Sequence, residues 1–179
     1  MVRSLRKEGS AIYLNADHSR SVETARAAVD AGFDSVHIDL SKKPLEENIK
    51  GTREIVDYAR AKNPDVSIEG EIGYFMTDSS QVYKDAVTIP AESLTGASDA
   101  ERFVRETDVD RLAPVVGGIH GVSLGGQDRL DIGRIAKIHS VVPGVVLVLH
   151  GGSGDLPDDM RQAIASGIAN IHISTDIRI

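Results

Sequence analysis

An α/β fold built on a parallel sheet is predicted by three observations. Six short apolar runs of strand length recur along the 179 residues, most of them rich in Val, Ile or Leu. Segments with helical periodicity lie between them. Polar side chains suited to chemistry close each run. Strand and helix in strict alternation imply a parallel sheet with helices outside it, either an open doubly wound sheet or a (β/α) barrel. No Gly-x-Gly-x-x-Gly follows the first run to favour a dinucleotide-binding fold.

The predicted strands are residues 11–17 (AIYLNAD), 34–40 (DSVHIDL), 66–72 (VSIEGEI), 111–118 (RLAPVVGG), 145–150 (VVLVLH) and 168–174 (IANIHIS). Between the first two, residues 21–32 place Val22, Ala25, Ala28 and Val29 on one side and stop at Gly32, a favourable helix end. Residues 45–62 space Ile49, Ile55, Val56 and Ala59 along one face, although Gly51 weakens such a helix by roughly 1 kcal/mol relative to Ala. Ser98 and Glu101 form a capping-box pattern ahead of Arg102, Phe103 and Val104. Residues 130–141 repeat Ile132, Ile135, Ala136 and Ile138 or His139. Residues 155–167 open with acidic residues and a proline and close on Gly167, in keeping with the helix macrodipole. Residues 73–97 are long for a connection and read as a lid or binding loop.

The length suits one domain, residues 1–179. A formal charge of −7 argues against nucleic acid as the main partner, which demands clustered Lys and Arg. With no cysteine, neither a disulfide framework nor a thiolate zinc site is available, so any metal rests on His, Asp or Glu. No stretch reads as a signal peptide or a membrane span, and a cytoplasmic protein is expected.

Ligands bind at the carboxyl ends of the strands in both candidate architectures. Asp17 and His18 end the first run, Asp39 and Ser41 the second, Glu69 and Glu71 the third, His120 the fourth, His150 the fifth, and His172, Ser174 and Asp176 the last. Of six histidines, His18, His120 and His150 stand at strand ends followed at once by Ser or Gly. The plain reading of any one is a hydrogen-bonded residue near a loop; three at equivalent positions point to a shared metal with a position left open for substrate. Alternation puts His37 on the face of Asp39, and Glu69 on that of Glu71. Buried carboxylates there need a cation or hydrogen-bond donors. Gly151, Gly152, Ser153 and Gly154 precede a helix, and their backbone N–H groups suit a phosphate.

The segments LNADHS, DAGFDSVHIDLSKKPLEENIKGTREIVDYAR, IEGEIGY, VGGIHG, VLHGGSG and IANIHISTDIR, in this order, resemble the class II, metal-dependent fructose-bisphosphate and tagatose-bisphosphate aldolases. The resemblance runs from about residue 11 to the end and implies a TIM (β/α)8-barrel of which this chain covers about six β/α units, strands 3 to 8. It implies that His18, His120 and His150 are ligands of a catalytic Zn2+. Asp17 would be the acid that donates a proton to the aldehyde oxygen during condensation. Asp39 and Glu71 would serve a second divalent position. Gly121, Gly151, Gly152 and Ser153 would hold the phosphorylated ketose and, through backbone oxygens, a monovalent cation. The implied reaction splits a ketose such as fructose 1,6-bisphosphate into dihydroxyacetone phosphate and an aldehyde.

Departures from the family pattern cluster at two places. The last strand typically reads Asn-x-Asp-Thr, and here His172, Ile173, Ser174 and Thr175 stand in its place, so His172, Ser174 and Thr175 are the candidate substrate contacts. The loop after the third strand offers Asp78 and Asp85 but no evident match to the family's catalytic Glu. A six-unit sheet also has two unpaired edges, so the chain is expected to be a truncated piece or to be completed by association as a homo-oligomer. Two alternatives accompany the aldolase reading: a metal-binding remnant with a structural or regulatory role, and an aldolase with altered substrate.

Overall fold

A computed structural model describes residues 2–78 and 80–178. Two compact units divide the chain: Met1–Gly70 with Thr107–Asp110, and Glu71–Glu106 with Arg111–Ile179.

The first unit contains α1 (Val2–Lys7), β1 (Asn15–Ser19), α2 (Val22–Asp30), β2 (Ser35–Ile38), α3 (Leu45–Lys62) and the opening of β3 (Ser67–Ile72). β1 pairs with β2 and β2 with β3, both in parallel. The first strand starts later than its apolar run suggests, because the ladder begins where Leu14 O accepts from the N–H groups of Asp34 and Ser35. Tyr13, just outside it, is solvent-exposed.

Helix α2 carries a reciprocal cap: Ser21 Oγ accepts from Thr24 N (3.1 Å) and Thr24 Oγ1 from Ser21 N (3.2 Å). Its buried residues are Ala25 and Val29. The glycine that weakens α3 on propensity has a packing role. Gly51 is buried, and a Cβ there would lie 2.4 Å from Leu40 Cδ1 and 3.4 Å from Val22 Cγ2, so a side chain at this position would displace Leu40. Asp110 closes this unit, accepting from Arg60 Nη2 (2.6 Å) and from Ile68 N (2.7 Å).

The second unit carries β4 (Val82–Tyr83), a 3-10 turn (Ala91–Ser93), α4 (Ala97–Thr107), β5 (Arg111–Pro114), β6 (Val122–Ser123), α5 (Ile132–Val141), β7 (Val146–Leu149), α6 (Pro157–Ala165), β8 (Ile168–Ile171) and α7 (Thr175–Arg178). β5, β7 and β8 pair in parallel, in that order. The strand order of the main sheet is β1-β2-β3-β5-β7-β8, which follows the chain throughout. A doubly wound sheet reverses its order at a switch point, whereas a (β/α) barrel does not. The chain is therefore part of a (β/α)8 barrel fold.

Two local expectations shift. Helix α4 starts at Ala97, with Ala100 N donating to Gly96 O, so Ser98 lies inside the first turn and is not the cap. Just ahead of the helix, the Thr95 hydroxyl donates to Ile72 O (2.6 Å) and accepts from Val115 N (2.8 Å). The long segment 73–97, of which Ser79 lies outside the described residues, is folded. β4 pairs in parallel with β6. Phe75 and Ile89 pack with Val115 and Ile119 in a small core of their own, flanked by Tyr83, Val87 and Leu94.

Candidate functional site

The first unit collects imidazoles and carboxylates at the carboxyl ends of β1 and β2. The register between these strands slips between Ala16 and Ser19, and within the slip His18 adopts φ +46°, the left-handed region that a non-glycine residue rarely occupies. Strain of this kind persists only where neighbours hold it, and it concentrates at functional sites. Here the holders are visible. His18 N donates to His37 Nδ1 (3.3 Å). His18 Nδ1 lies 2.8 Å from Asp39 Oδ2, and Arg20 Nη1 lies 2.6 Å from the same oxygen. The other oxygen, Oδ1, accepts from Ser41 Oγ (2.6 Å) and Ser41 N (3.1 Å).

Asp39 is therefore buried yet charged. Burial alone pushes its carboxyl up, but the hydrogen bonds from His18 and Ser41, together with the nearby Arg20 guanidinium, hold it well below the usual carboxylate range. His37, fully buried, also faces Asp17 Oδ1 at 3.4 Å and Glu69 Oε1 at 3.8 Å. Asp17, Asp39 and His18 were all indicated by sequence. His37 was placed on the face of Asp39 but not among the ligands, although its alternation with Asp39 was the signal.

Asp17, His18 and His37 each offer a ligand atom, all within 4.8 Å of one another, and so do His18, His37 and Asp39. Mixed imidazole and carboxylate donors without thiolate fit a first-row divalent ion. A carboxylate on Nδ1 of a histidine is also the usual arrangement for orienting its other nitrogen toward a metal. The residues thus fit a divalent metal site.

In the second unit, Glu71 (1% exposed) ends β3, His120 (5%) follows β5 and His150 (2%) follows β7. His120 stacks on Phe75 with ring centroids 4.3 Å apart, and its backbone N–H donates to Thr77 Oγ1 (2.9 Å). The imidazoles form a row: His120 to His150 is 5.8 Å between centroids, and His150 to His172 is 4.2 Å. Both glycine positions beside them require glycine. At Gly151 (φ +74°) a Cβ would meet Ile119 O at 2.3 Å, and at Gly121 (φ +95°) Gln81 O at 2.7 Å.

The remaining expected contacts are stitched together. Gly152 N donates to His172 O (3.1 Å), and Ser153 Oγ accepts from Ser174 N and Asp176 N, both 3.2 Å. Thr175 Oγ1 accepts from Ser80 N (3.1 Å). The positive end of α6 is complemented internally, since Asp158 and Asp159 lie in its first turn and buried Asp159 accepts from Arg129 Nε (2.7 Å).

Asp155, directly after the glycine run, was not singled out by sequence. Burial, only partly offset by a hydrogen bond from Gln127 Nε2 (2.9 Å) and reinforced by the charges of Asp159 and Asp176, raises its pKa to about 7. Its Oδ2 is buried with no hydrogen-bond partner among the described residues. Below about pH 4 folded and unfolded chains both hold this proton, whereas between about pH 4 and 7 the unfolded chain releases it first. Stability therefore falls across that window, by on the order of 4 kcal/mol, and then levels. Asp155→Asn is expected to flatten this dependence when urea midpoints are compared at pH 4, 5.5 and 7. Parallel curves for the two proteins would refute the assignment.

Sequential strand order with imidazole and carboxylate donors at strand carboxyl ends defines a metal-binding (β/α)-barrel protein. The family model described as "Fructose-bisphosphate aldolase class-II" matches residues 1–179, and the chain belongs to that family. It is 35% identical over 168 residues to a fructose-bisphosphate aldolase of Geobacillus stearothermophilus, covering 94% of this chain and 55% of that protein. It is 39% identical over 168 residues to a 6-phospho-5-dehydro-2-deoxy-D-gluconate aldolase of Shouchella clausii, covering 94% and 54%. The crystal structure of the YdjI aldolase from Escherichia coli K12 superposes with TM-score 0.73 at 32% identity, covering 91% of this chain and 53% of that one. The chain spans about half the length of the curated relatives it matches. No helix among its described residues is long and apolar enough to cross a membrane.

Proposed function

We propose that the chain provides the active-site part of a zinc-dependent aldolase that cleaves or forms a C–C bond in a phosphorylated ketose such as fructose 1,6-bisphosphate. The observation that carries the reading is His18: a strained backbone, locked by His37, with its ring held by the ionised Asp39. Asp39 orients that ring and supplies the negative charge that favours a cation. His18, His120 and His150 would hold the metal, with Asp39 and Glu71 at a second position. Bound there, a divalent cation supplies Lewis-acid stabilisation of the charge that C–C cleavage leaves on the ketone-bearing fragment.

The chain's own groups account for the rest. Asp17, half-exposed beside His37, would hold and pass the proton exchanged with the aldehyde oxygen. Gly121 and Gly151, where no side chain fits, bring backbone close to a bound phosphate or monovalent cation. Relatives named for two different phosphorylated substrates set the range to be tested.

The test is aldol cleavage by the full chain loaded with Zn2+, using fructose 1,6-bisphosphate, tagatose 1,6-bisphosphate and 6-phospho-5-dehydro-2-deoxy-D-gluconate. Cleavage of at least one, abolished by a chelator and restored by metal, is expected. A zinc-loaded chain that cleaves none would instead support a remnant with a structural or regulatory role.

A further inference from the structure

We propose that His172 is itself a metal ligand, paired with His150, so that the second unit contributes one imidazole more than the three-histidine reading assigns. The inference rests on the proposed metal site at His150. It starts from register. Leu149 pairs with Ile171, so His150 and His172 are the next residues of two adjacent parallel strands and project to the same side. Backbone bonds fix them on both sides, His172 N donating to Leu149 O (2.9 Å) and Gly152 N to His172 O (3.1 Å).

The rings then lie 4.2 Å apart, tilted by 43°, with ligand nitrogens within 4.8 Å. Two nitrogens bound to one ion at about 2.0–2.1 Å each lie roughly 3–4 Å apart, so the two rings need only a modest approach of their side chains to share an ion. The tilt distinguishes this pair from the flat stack of Phe75 on His120, which is inclined by only 22°. His172 is half-buried, which leaves its ring room to turn. An imidazole at this position favours ions such as Zn2+, Co2+ or Ni2+ over Mg2+, which prefers oxygen.

Metal-stripped full chain is titrated with Co2+, read by visible absorption, and with Zn2+ in competition with a chromophoric chelator. His172→Asn is expected to weaken Zn2+ binding by about tenfold or more, the scale seen when a site loses a tuning group, and to change the Co2+ spectrum. His139→Ala, an exposed histidine on α5, is expected to change neither. Hyperfine-shifted imidazole N–H resonances of the Co2+ form give a second count, which falls by one in the variant. Native affinity and spectrum in His172→Asn would overturn the inference while leaving the site at His150 standing. Failure of the native chain to bind either ion would overturn both.

Discussion

His150→Ala is expected to leave the chain unable to retain zinc through gel filtration and to reduce aldol cleavage by on the order of 1,000-fold or more, since the charge stabilisation expected of the metal is worth several kcal/mol. His150 is the strongest position for this test. It directly follows the buried strand β7 and is 2% exposed, and it neighbours the rings of His120 and His172. A small ligand-sized change there removes an imidazole without touching the glycine turn that follows. The fold is expected to survive with a loss of about 1–3 kcal/mol, the usual consequence of disturbing a buried polar group. Metal content by elemental analysis and cleavage by coupled assay are read together. Stoichiometric zinc in the variant would show that the ligands are misassigned.

Asp17→Asn is expected to separate proton transfer from metal binding. The substitution preserves shape, and the Asp17 side chain is 51% exposed, so neither stability nor zinc content should change measurably. The rate is expected to fall by about 100- to 10,000-fold, the range over which a positioned acid or base contributes. The loss should appear in kcat with KM little changed, because an interaction with the transferring proton is made in the transition state. Native kcat in this variant would remove Asp17 from the proton path; zinc loss would make it a ligand.

Much of this was legible before any coordinates. The six runs located six strands because buried parallel strands read as uninterrupted apolar stretches, and α3 was bounded correctly by Leu45 and Lys62. The donors at strand ends followed from one positional rule. What sequence could not supply was backbone geometry and neighbour identity. Nothing in Ala16-Asp17-His18 announces the register slip or the positive φ of His18, which depend on contacts with β2. Gly51 looked like a flaw in a helix until Leu40 and Val22 were seen beside it. The folded segment 73–97 was read as a loop because its strand is only two residues long and pairs with residues 122 and 123, beyond any local pattern. Asp155 was passed over because its altered acidity comes from burial, and a single charged residue after a glycine run carries no sign of that.

The Ser153 hydroxyl has a dynamic consequence. It is 2% exposed and accepts from the amides of Ser174 and Asp176, while the neighbouring Gly152 amide reaches back to His172. Three amides on two separated stretches of chain therefore share one fastening, and none can exchange its hydrogen until the turn after β7 lifts away from the end of β8. The turn and the strand end breathe as a single cooperative unit. An anion that settles on the glycine turn would slow exchange some twenty residues further along the chain without touching those amides.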